Sequence, residues 1–138
     1  MPGAKAPLEQ RVAESKEKVS ESQERVARVE ARLRDAEWHA PQLCRTEFRS
    51  VAAGHLRKGE PVATLIAAAH DAAAAVQTHT LTDAEVFAVL STSPLSAYDS
   101  EYVALAHRLG CRLVTTDRDV LRHFPETAVR LSDYAAGG

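Results

Sequence analysis

Three acidic residues lie at the predicted end of a strand or near the predicted start of a helix. Asp99 falls in the first turn of the apolar-striped stretch "SAYDSEYVALAHRLG", Asp117 ends the β-branched stretch "CRLVTTD", and Glu47 lies near the start of another helical stretch. Ligands gather beyond the carboxyl ends of parallel strands, so these carboxylates are candidates for one site. Carboxylates without histidine or cysteine partners suit a hard cation such as Mg²⁺ or Mn²⁺, which activates water and stabilises the leaving oxygen in phosphodiester cleavage.

Each acid also has a purely structural explanation. Asp99 completes a capping box with Ser96, Asp117 is a good N-cap for a helix beginning at Arg118, and Glu47 is an ordinary polar residue on a helix flank. Spacing alone does not decide between these explanations and a metal site.

The elements that must position the acids alternate between strands and helices. The predicted strands are "WHAPQL", which Pro41 stops, "VQTHTL", "CRLVTTD" and "AVRLSDY". Between them, Pro41 is well placed as the first residue of a helix that Gly59 stops, and Pro61 opens a second helix, "PVATLIAAAHDAAAAVQ", which we expect to be buried because it is apolar nearly all round. A Thr82–Glu85 capping box starts the next helix, and Gly110 ends the helix that carries Asp99. This order predicts an α/β fold with a parallel sheet.

Residues 1–37 differ from the rest of the chain. They hold eight basic and eight acidic residues, with no aromatic side chain and no glycine or proline after Pro7. Apolar or small residues recur with a strict four–three alternation, the seam of a left-handed coiled coil weakened by two serines. The seam residues are Leu8, Val12, Ser15, Val19, Ser22, Val26, Val29, Leu33 and Ala36. A self-pairing coiled coil, a solvated helix packed on its own domain and partial disorder all remain open. We therefore divide the chain into a charged heptad helix, residues 1–37, and a globular domain, residues 38–138.

Composition excludes several classes. The 138 residues carry a net charge of −2, so no global basic field indicates nucleic-acid binding. Cys44 and Cys111 form no CxxC pair, which suits reduced thiols in a cytoplasmic protein. The N-terminus lacks an apolar signal region, and no apolar run is long enough to cross a membrane.

Two longer stretches strongly resemble bacterial PIN domains, especially the VapC-type toxins of type II toxin–antitoxin pairs. They are "HAPQLCRTEFRSVAAGHLRKGE" and "LSAYDSEYVALAHRLGCRLVTTDRDVL", and the resemblance covers residues 38–138. It implies a three-layer α/β fold with a short parallel sheet flanked by helices, here preceded by a long N-terminal helix. It also implies a Mg²⁺- or Mn²⁺-dependent ribonuclease, with Glu47, Asp99 and Asp117 as catalytic acids and metal ligands and Asp119 assisting at the rim.

The resemblance leaves one acid unaccounted for. PIN domains start with an apolar strand that ends in an aspartate, whereas the corresponding window here reads "MPGAKAPLEQRVAES". Because that strand is the middle of the family's sheet, its loss would expose backbone groups on two neighbours. Three explanations of the missing strand stay open. The sheet of this protein has one strand fewer, another chain supplies a strand or helix, or the N-terminus differs from the ancestral one.

The partners follow from resemblance and local charge. Cations along an RNA path are expected from Arg45 and Arg49 near Glu47, and from Arg112 and Arg118 near the Asp117 strand. The family further implies a cognate antitoxin protein and a homodimer or higher homo-oligomer. Two hypotheses result: a toxin-like PIN endoribonuclease impaired by the missing aspartate, or a catalytically inactive PIN-like protein that oligomerises or regulates through its coiled coil.

Overall fold

A computed structural model describes residues 7–34 and 36–137, and the contacts divide the chain into two compact units. The first unit is built on one helix, α1 (Leu8–Arg34), whose 27 residues include none that is buried. The absence of glycine and proline within it permits this length. The second unit, Glu37–Tyr134, holds every other helix and strand, apart from the last residue of α7.

The second unit alternates strands with helices, as the sequence predicts. Its elements are β1 (Trp38–Pro41), α2 (Cys44–Arg57), α3 (Val62–Ala75), β2 (Val76–His79), α4 (Asp83–Leu90), α5 (Ala97–Leu109), β3 (Leu113–Thr115), α6 (Arg118–His123), β4 (Ala128–Arg130) and α7 (Leu131–Ala135). The α/β class and the long N-terminal helix are confirmed.

The strands form two separate parallel pairs instead of one continuous sheet. β1 pairs with β2 in the register Trp38↔Val76, and β3 pairs with β4 in the register Leu113↔Ala128. Each of the four described strands therefore has one paired edge and one edge outside any ladder. The two pairs share a helix, because α5 packs against both β1 and β3.

The hydrophobic core gathers around α5. Val103 and Ala104 of this helix pack with Val89 of α4, Val120 of α6 and Ala128 of β4. α5 also buries Leu105 and Ala106, whereas Leu109 at its end is exposed.

Helix termini follow the sequence signals in the C-terminal part of this unit. Thr82 and Glu85 form the complete capping box: the Thr82 hydroxyl accepts from the Glu85 amide at 3.2 Å, and the Glu85 carboxylate accepts from the Thr82 amide at 3.1 Å. Gly110 ends α5 in the left-handed conformation, with φ of 61°, which glycine adopts without the clash of a Cβ atom.

Three expectations about local structure are wrong. Pro41 is the last residue of β1 and not the first residue of a helix; α2 begins only at Cys44. The "AVRLSDY" strand stops at Arg130, where α7 begins. The apolar helix α3 has no buried residue, and its Val62 and Ile66 are 58% and 54% exposed. An apolar helix is buried only where a second layer covers it, and no described element covers this side of α3.

Candidate active site

Glu47 of α2 contacts α5 directly. Its carboxylate accepts a hydrogen bond from the Tyr102 hydroxyl. Burial, and then the hydrogen bond from Tyr102 to this carboxylate, raises the pKa of the tyrosine well above its usual value, so the phenol stays protonated and donates. Tyr102 lies three residues after Asp99, hence on the same side of α5. The tertiary structure thus brings Glu47 to the side of α5 that carries Asp99.

Asp99 is half-buried in the first turn of α5. The Ser96 hydroxyl accepts from the Asp99 amide at 3.1 Å, but the reciprocal bond from the Asp99 carboxylate is not formed, in contrast to the complete box at Thr82. The predicted Ser96–Asp99 capping box is therefore only half made. Among the described residues the Asp99 carboxylate has no hydrogen-bond or ion-pair partner, so the cap does not account for its charge.

Asp117 is the N-cap of α6. One carboxylate oxygen accepts from the amides of Asp119 and Val120, at 2.8 and 3.1 Å. The structural explanation that the sequence offered for this residue is thus realised. Asp119 itself pairs with Arg122 at 2.7 Å, one turn along the same helix, so its carboxylate is also engaged.

Asp99 and Asp117 lie at the same end of the second unit. α5 ends at Leu109, β3 begins at Leu113, and the two elements pack together, so the chain reverses between them. At rises of about 1.5 Å per helical residue and about 3.3 Å per strand residue, Asp99 and Asp117 lie about 15 Å and about 13 Å from that reversal. The start of the helix and the end of the strand are therefore both directed away from the reversal, towards the same end of the unit.

The acids do not converge into a metal site in this arrangement. No group of three or more histidine, cysteine, aspartate or glutamate side chains that could hold a metal ion occurs within residues 7–34 and 36–137. Glu47 is engaged by Tyr102 and Asp117 by backbone amides, which leaves Asp99 as the acid with an uncommitted carboxylate. The described side chains therefore do not fit a complete Mg²⁺ or Mn²⁺ site, which needs several converging oxygen ligands.

The arginines fall into two groups. Arg45 and Arg49 line a groove of about 460 Å³ beside β1, together with Phe48 of α2 and His70 of α3. Glu47 is two residues from each arginine, and residues two apart on a helix do not share a face. Arg45 and Arg49 therefore lie on a different face of α2 from Glu47, and their role along an RNA path stays a prediction.

The second group is split by β3. Arg112 precedes the strand and Arg118 follows it, so only Arg118 lies at the end of β3 that carries Asp117. Both side chains are exposed.

Two histidines that the sequence did not single out meet across β1 and β2. His39 Nδ1 and His79 Nε2 are 2.9 Å apart, and Glu37 lies 3.6 Å from the other ring nitrogen of His39. The two histidines are 40 residues apart in the chain and become neighbours through the β1–β2 register. No local sequence signal distinguishes them.

The comparison with protein families decides the ancestry. The PIN-domain family matches residues 18–127, which is most of the chain. The chain belongs to the PIN-domain family. No curated protein is significantly similar to it.

Membership confirms the PIN resemblance and changes its extent. The match begins inside α1, N-terminal to the Trp38 start suggested by the sequence, and ends at Thr127, before β4. PIN domains act on RNA and other nucleic acids and generally depend on divalent metal ions, so membership indicates a nuclease-like function. No helix in the part of the chain that the structure describes is long and apolar enough to cross a membrane.

Proposed function

We propose that this chain is a PIN-type endoribonuclease of the VapC toxin class, with Glu47, Asp99 and Asp117 as its catalytic acids. The observation that supports the proposal is the hydrogen bond that holds Glu47 beside α5, the helix that carries Asp99, in a PIN-family domain whose β3 is followed by Asp117. The cofactor is Mg²⁺ or Mn²⁺ and the substrate single-stranded RNA. A cognate antitoxin is the partner that the toxin class implies.

We expect the activity of this chain alone to be weak. In the described arrangement fewer than three acids converge, and only Asp99 has a carboxylate free of protein partners. A hard cation held by too few carboxylates binds weakly. Asp119, proposed at the rim of the site, would first have to leave Arg122.

Mn²⁺-dependent cleavage of single-stranded RNA by wild-type protein and by Asp99→Asn tests the proposal. The substitution keeps the shape and removes the charge, so we expect cleavage to fall by about 10–100-fold or more. Asp71→Asn, the same substitution at an exposed acid of α3, is the matched control and should cleave like wild type. Equal cleavage by all three proteins would refute the assignment of Asp99.

Asp117→Asn separates the chemical role of Asp117 from its cap. Asparagine is as good an N-cap as aspartate. The N-terminus of α6 should therefore stay at Arg118, and the midpoint of thermal unfolding should change very little. Loss of cleavage with an unchanged midpoint supports a role for the charge in the reaction. If cleavage and the midpoint of thermal unfolding fell together, Asp117 would act only as the N-cap of α6.

One observation favours a second candidate, a catalytically inactive PIN protein that assembles through α1. Four large apolar seam residues of this helix are exposed in the single chain: Leu8, Val12, Val19 and Val26. Their heptad spacing is that of a helix that packs against a copy of itself. This candidate predicts a homodimer or higher oligomer and no metal-dependent cleavage.

Sedimentation of the full chain distinguishes the coiled coil from a solvated helix. Val19→Glu with Val26→Glu places two charges in the seam and should convert the oligomer to monomer. Val51→Glu, at an equally exposed valine of α2, should leave the assembly intact. An unchanged oligomeric state in the double variant would exclude α1 as the assembly element.

A further inference from the structure

The histidines of β1 and β2 meet on one face of this strand pair. Ala40, Val76 and Thr78 line the groove beside α2 and α3. Neighbouring residues of a strand point to opposite faces, so His39 and His79 lie on the face turned away from that groove. The histidine pair is therefore a feature separate from the arginine-lined groove.

The two rings point nitrogen towards nitrogen. His39 Nδ1 and His79 Nε2 are 2.9 Å apart, whereas the ring centroids are 5.1 Å apart, so these nitrogens lie on the facing edges of the rings. Nitrogens this close cannot both carry a hydrogen, and at least one of them presents a lone pair. The space between them therefore holds either one shared proton or one cation that accepts both lone pairs.

The spacing suits a metal ion that prefers nitrogen ligands. Zinc–nitrogen bonds of about 2.0–2.1 Å at a tetrahedral angle place two ligand nitrogens about 3.3 Å apart. The observed 2.9 Å is slightly shorter, and small rotations of the two half-buried rings would close the difference. Imidazole suits Zn²⁺, Ni²⁺ and Cu²⁺, whereas Mg²⁺ and Mn²⁺ prefer oxygen ligands.

Glu37 lies behind His39. Its carboxylate is 3.6 Å from His39 Nε2, the nitrogen that does not face His79. The Gln77 side chain donates to the same carboxylate oxygen at 2.7 Å and so fixes its position. A carboxylate in this place favours the hydrogen on Nε2 and leaves the lone pair on Nδ1. Histidines that bind metals usually have such a carboxylate or a carbonyl at their second nitrogen.

We propose that His39 and His79 bind one divalent ion of the Zn²⁺ type, with Glu37 as the positioning residue for His39. This site does not depend on the proposed nuclease function and is distinct from its Mg²⁺ or Mn²⁺ cofactor. The described part of the chain contains no cluster of three or more metal-binding side chains, so water fills the other coordination positions. The His39 side chain is 24% exposed, which gives water access.

Calorimetric titration of the full chain with Zn²⁺ tests the proposal, in excess Mg²⁺ so that any oxygen-ligand site is already occupied. Wild type should bind one ion at this pair. His79→Gln removes a ligand nitrogen and should lower the affinity by at least about tenfold. His123→Gln, at an exposed histidine of α6, is the matched control and should bind like wild type. The proposal fails if all three proteins bind Zn²⁺ equally.

Co²⁺ distinguishes the histidines from the free thiols of Cys44 and Cys111. Co²⁺ bound by imidazole absorbs in the visible range, and a thiolate ligand adds an intense near-ultraviolet band. Wild type should show the visible absorption without the thiolate band, and His39→Gln should lose it. A thiolate band that persists in His39→Gln would assign the ion to a cysteine and overturn the proposal.

Two substitutions of Glu37 test its positioning role. Glu37→Gln removes the charge and should lower the Zn²⁺ affinity by about tenfold, whereas Glu37→Asp keeps a carboxylate and should retain most of it. Zn²⁺ should also raise the midpoint of thermal unfolding of wild type more than that of Glu37→Gln, because the ion binds only the folded strand pair. Wild-type affinity in Glu37→Gln would contradict the role of this residue.

If the histidine variants fail to fold, nuclear magnetic resonance of wild type decides the question. Less than one equivalent of Zn²⁺ should shift the ring resonances of His39 and His79 and leave those of His55 and His70 unchanged. If the shifts appear only at other histidines, or nowhere, the pair shares a proton and binds no metal.

Discussion

The two halves of the second unit use similar amounts of apolar sequence with different results. In residues 81–134, apolar side chains of α4, α5, α6 and β4 bury one another. In residues 37–80, only Pro41 is buried, although α3 is apolar along nearly all its length. Burial therefore depends on a facing layer, and composition alone does not supply one.

The difference coincides with the break in the sheet. α5 packs against β1 and β3, and its side chains form the centre of the hydrophobic core. α2 and α3 instead line a groove of about 460 Å³ beside β1. The comparison thus predicts that the N-terminal half is the less stable of the two in the isolated chain.

The largest expected contrast comes from one substitution made in both halves. Val103 is completely buried, so Val103→Ala should lower the free energy of unfolding by about 2 kcal/mol through lost burial and a residual cavity. Val62 is 58% exposed, so Val62→Ala should change it by less than about 0.5 kcal/mol. Urea unfolding midpoints provide the measurement, and equal losses would contradict the difference in packing.

Two glycines should give effects of opposite sign. Gly110 has φ of 61°, so Gly110→Ala should destabilise the protein by about 1 kcal/mol. Gly54 lies inside α2, with no atom near an added Cβ, so Gly54→Ala should stabilise it by about 0.5–1 kcal/mol. Thermal unfolding of the two variants checks both signs. A destabilised Gly54→Ala would show that this part of α2 is more tightly packed than described.

The smallest expected effect is a pH dependence in the C-terminal half. The hydrogen bond from Arg108 lowers the pKa of Glu85 to about 2, from an ordinary value of 4.5. Because the folded pKa is the lower one, the stabilisation is present above about pH 4.5 and is lost as the pH falls towards 2. The thermal midpoint of wild type should therefore fall more steeply between these values than that of Glu85→Gln. Parallel curves would mean that the Glu85–Arg108 pair adds no stability.

The sequence predicted best where the cause is local. The Thr82–Glu85 box, the Gly110 terminus and the Asp117 N-cap all depend on residues within three positions of one another, and all are observed. The Ser96–Asp99 box shows the limit of such signals: the residue types allow both bonds, but only one forms. Which of two local conformations a side chain takes depends on its surroundings.

The candidate site was predictable only in its residue types. Glu47 and Asp99 were identified from helix positions, but the contact between Glu47 and Tyr102 joins residues 55 positions apart. That Arg45 and Arg49 lie on a different face of α2 from Glu47 follows from helical spacing, whereas the groove that they line is formed by α2, α3 and β1 together. The catalytic roles of the three acids remain a prediction.

The amino-acid sequence by itself determined the α/β class, the order of the elements and the PIN ancestry, because hydrophobic periodicity, capping residues and family motifs are written in neighbouring residues. Only the tertiary structure decided that the strands form two pairs, that α3 remains exposed and that the three acids do not converge into a metal site. These features depend on which layers and edges meet. Such contacts join distant parts of the chain, so they are settled by backbone hydrogen bonds and packing across the whole unit.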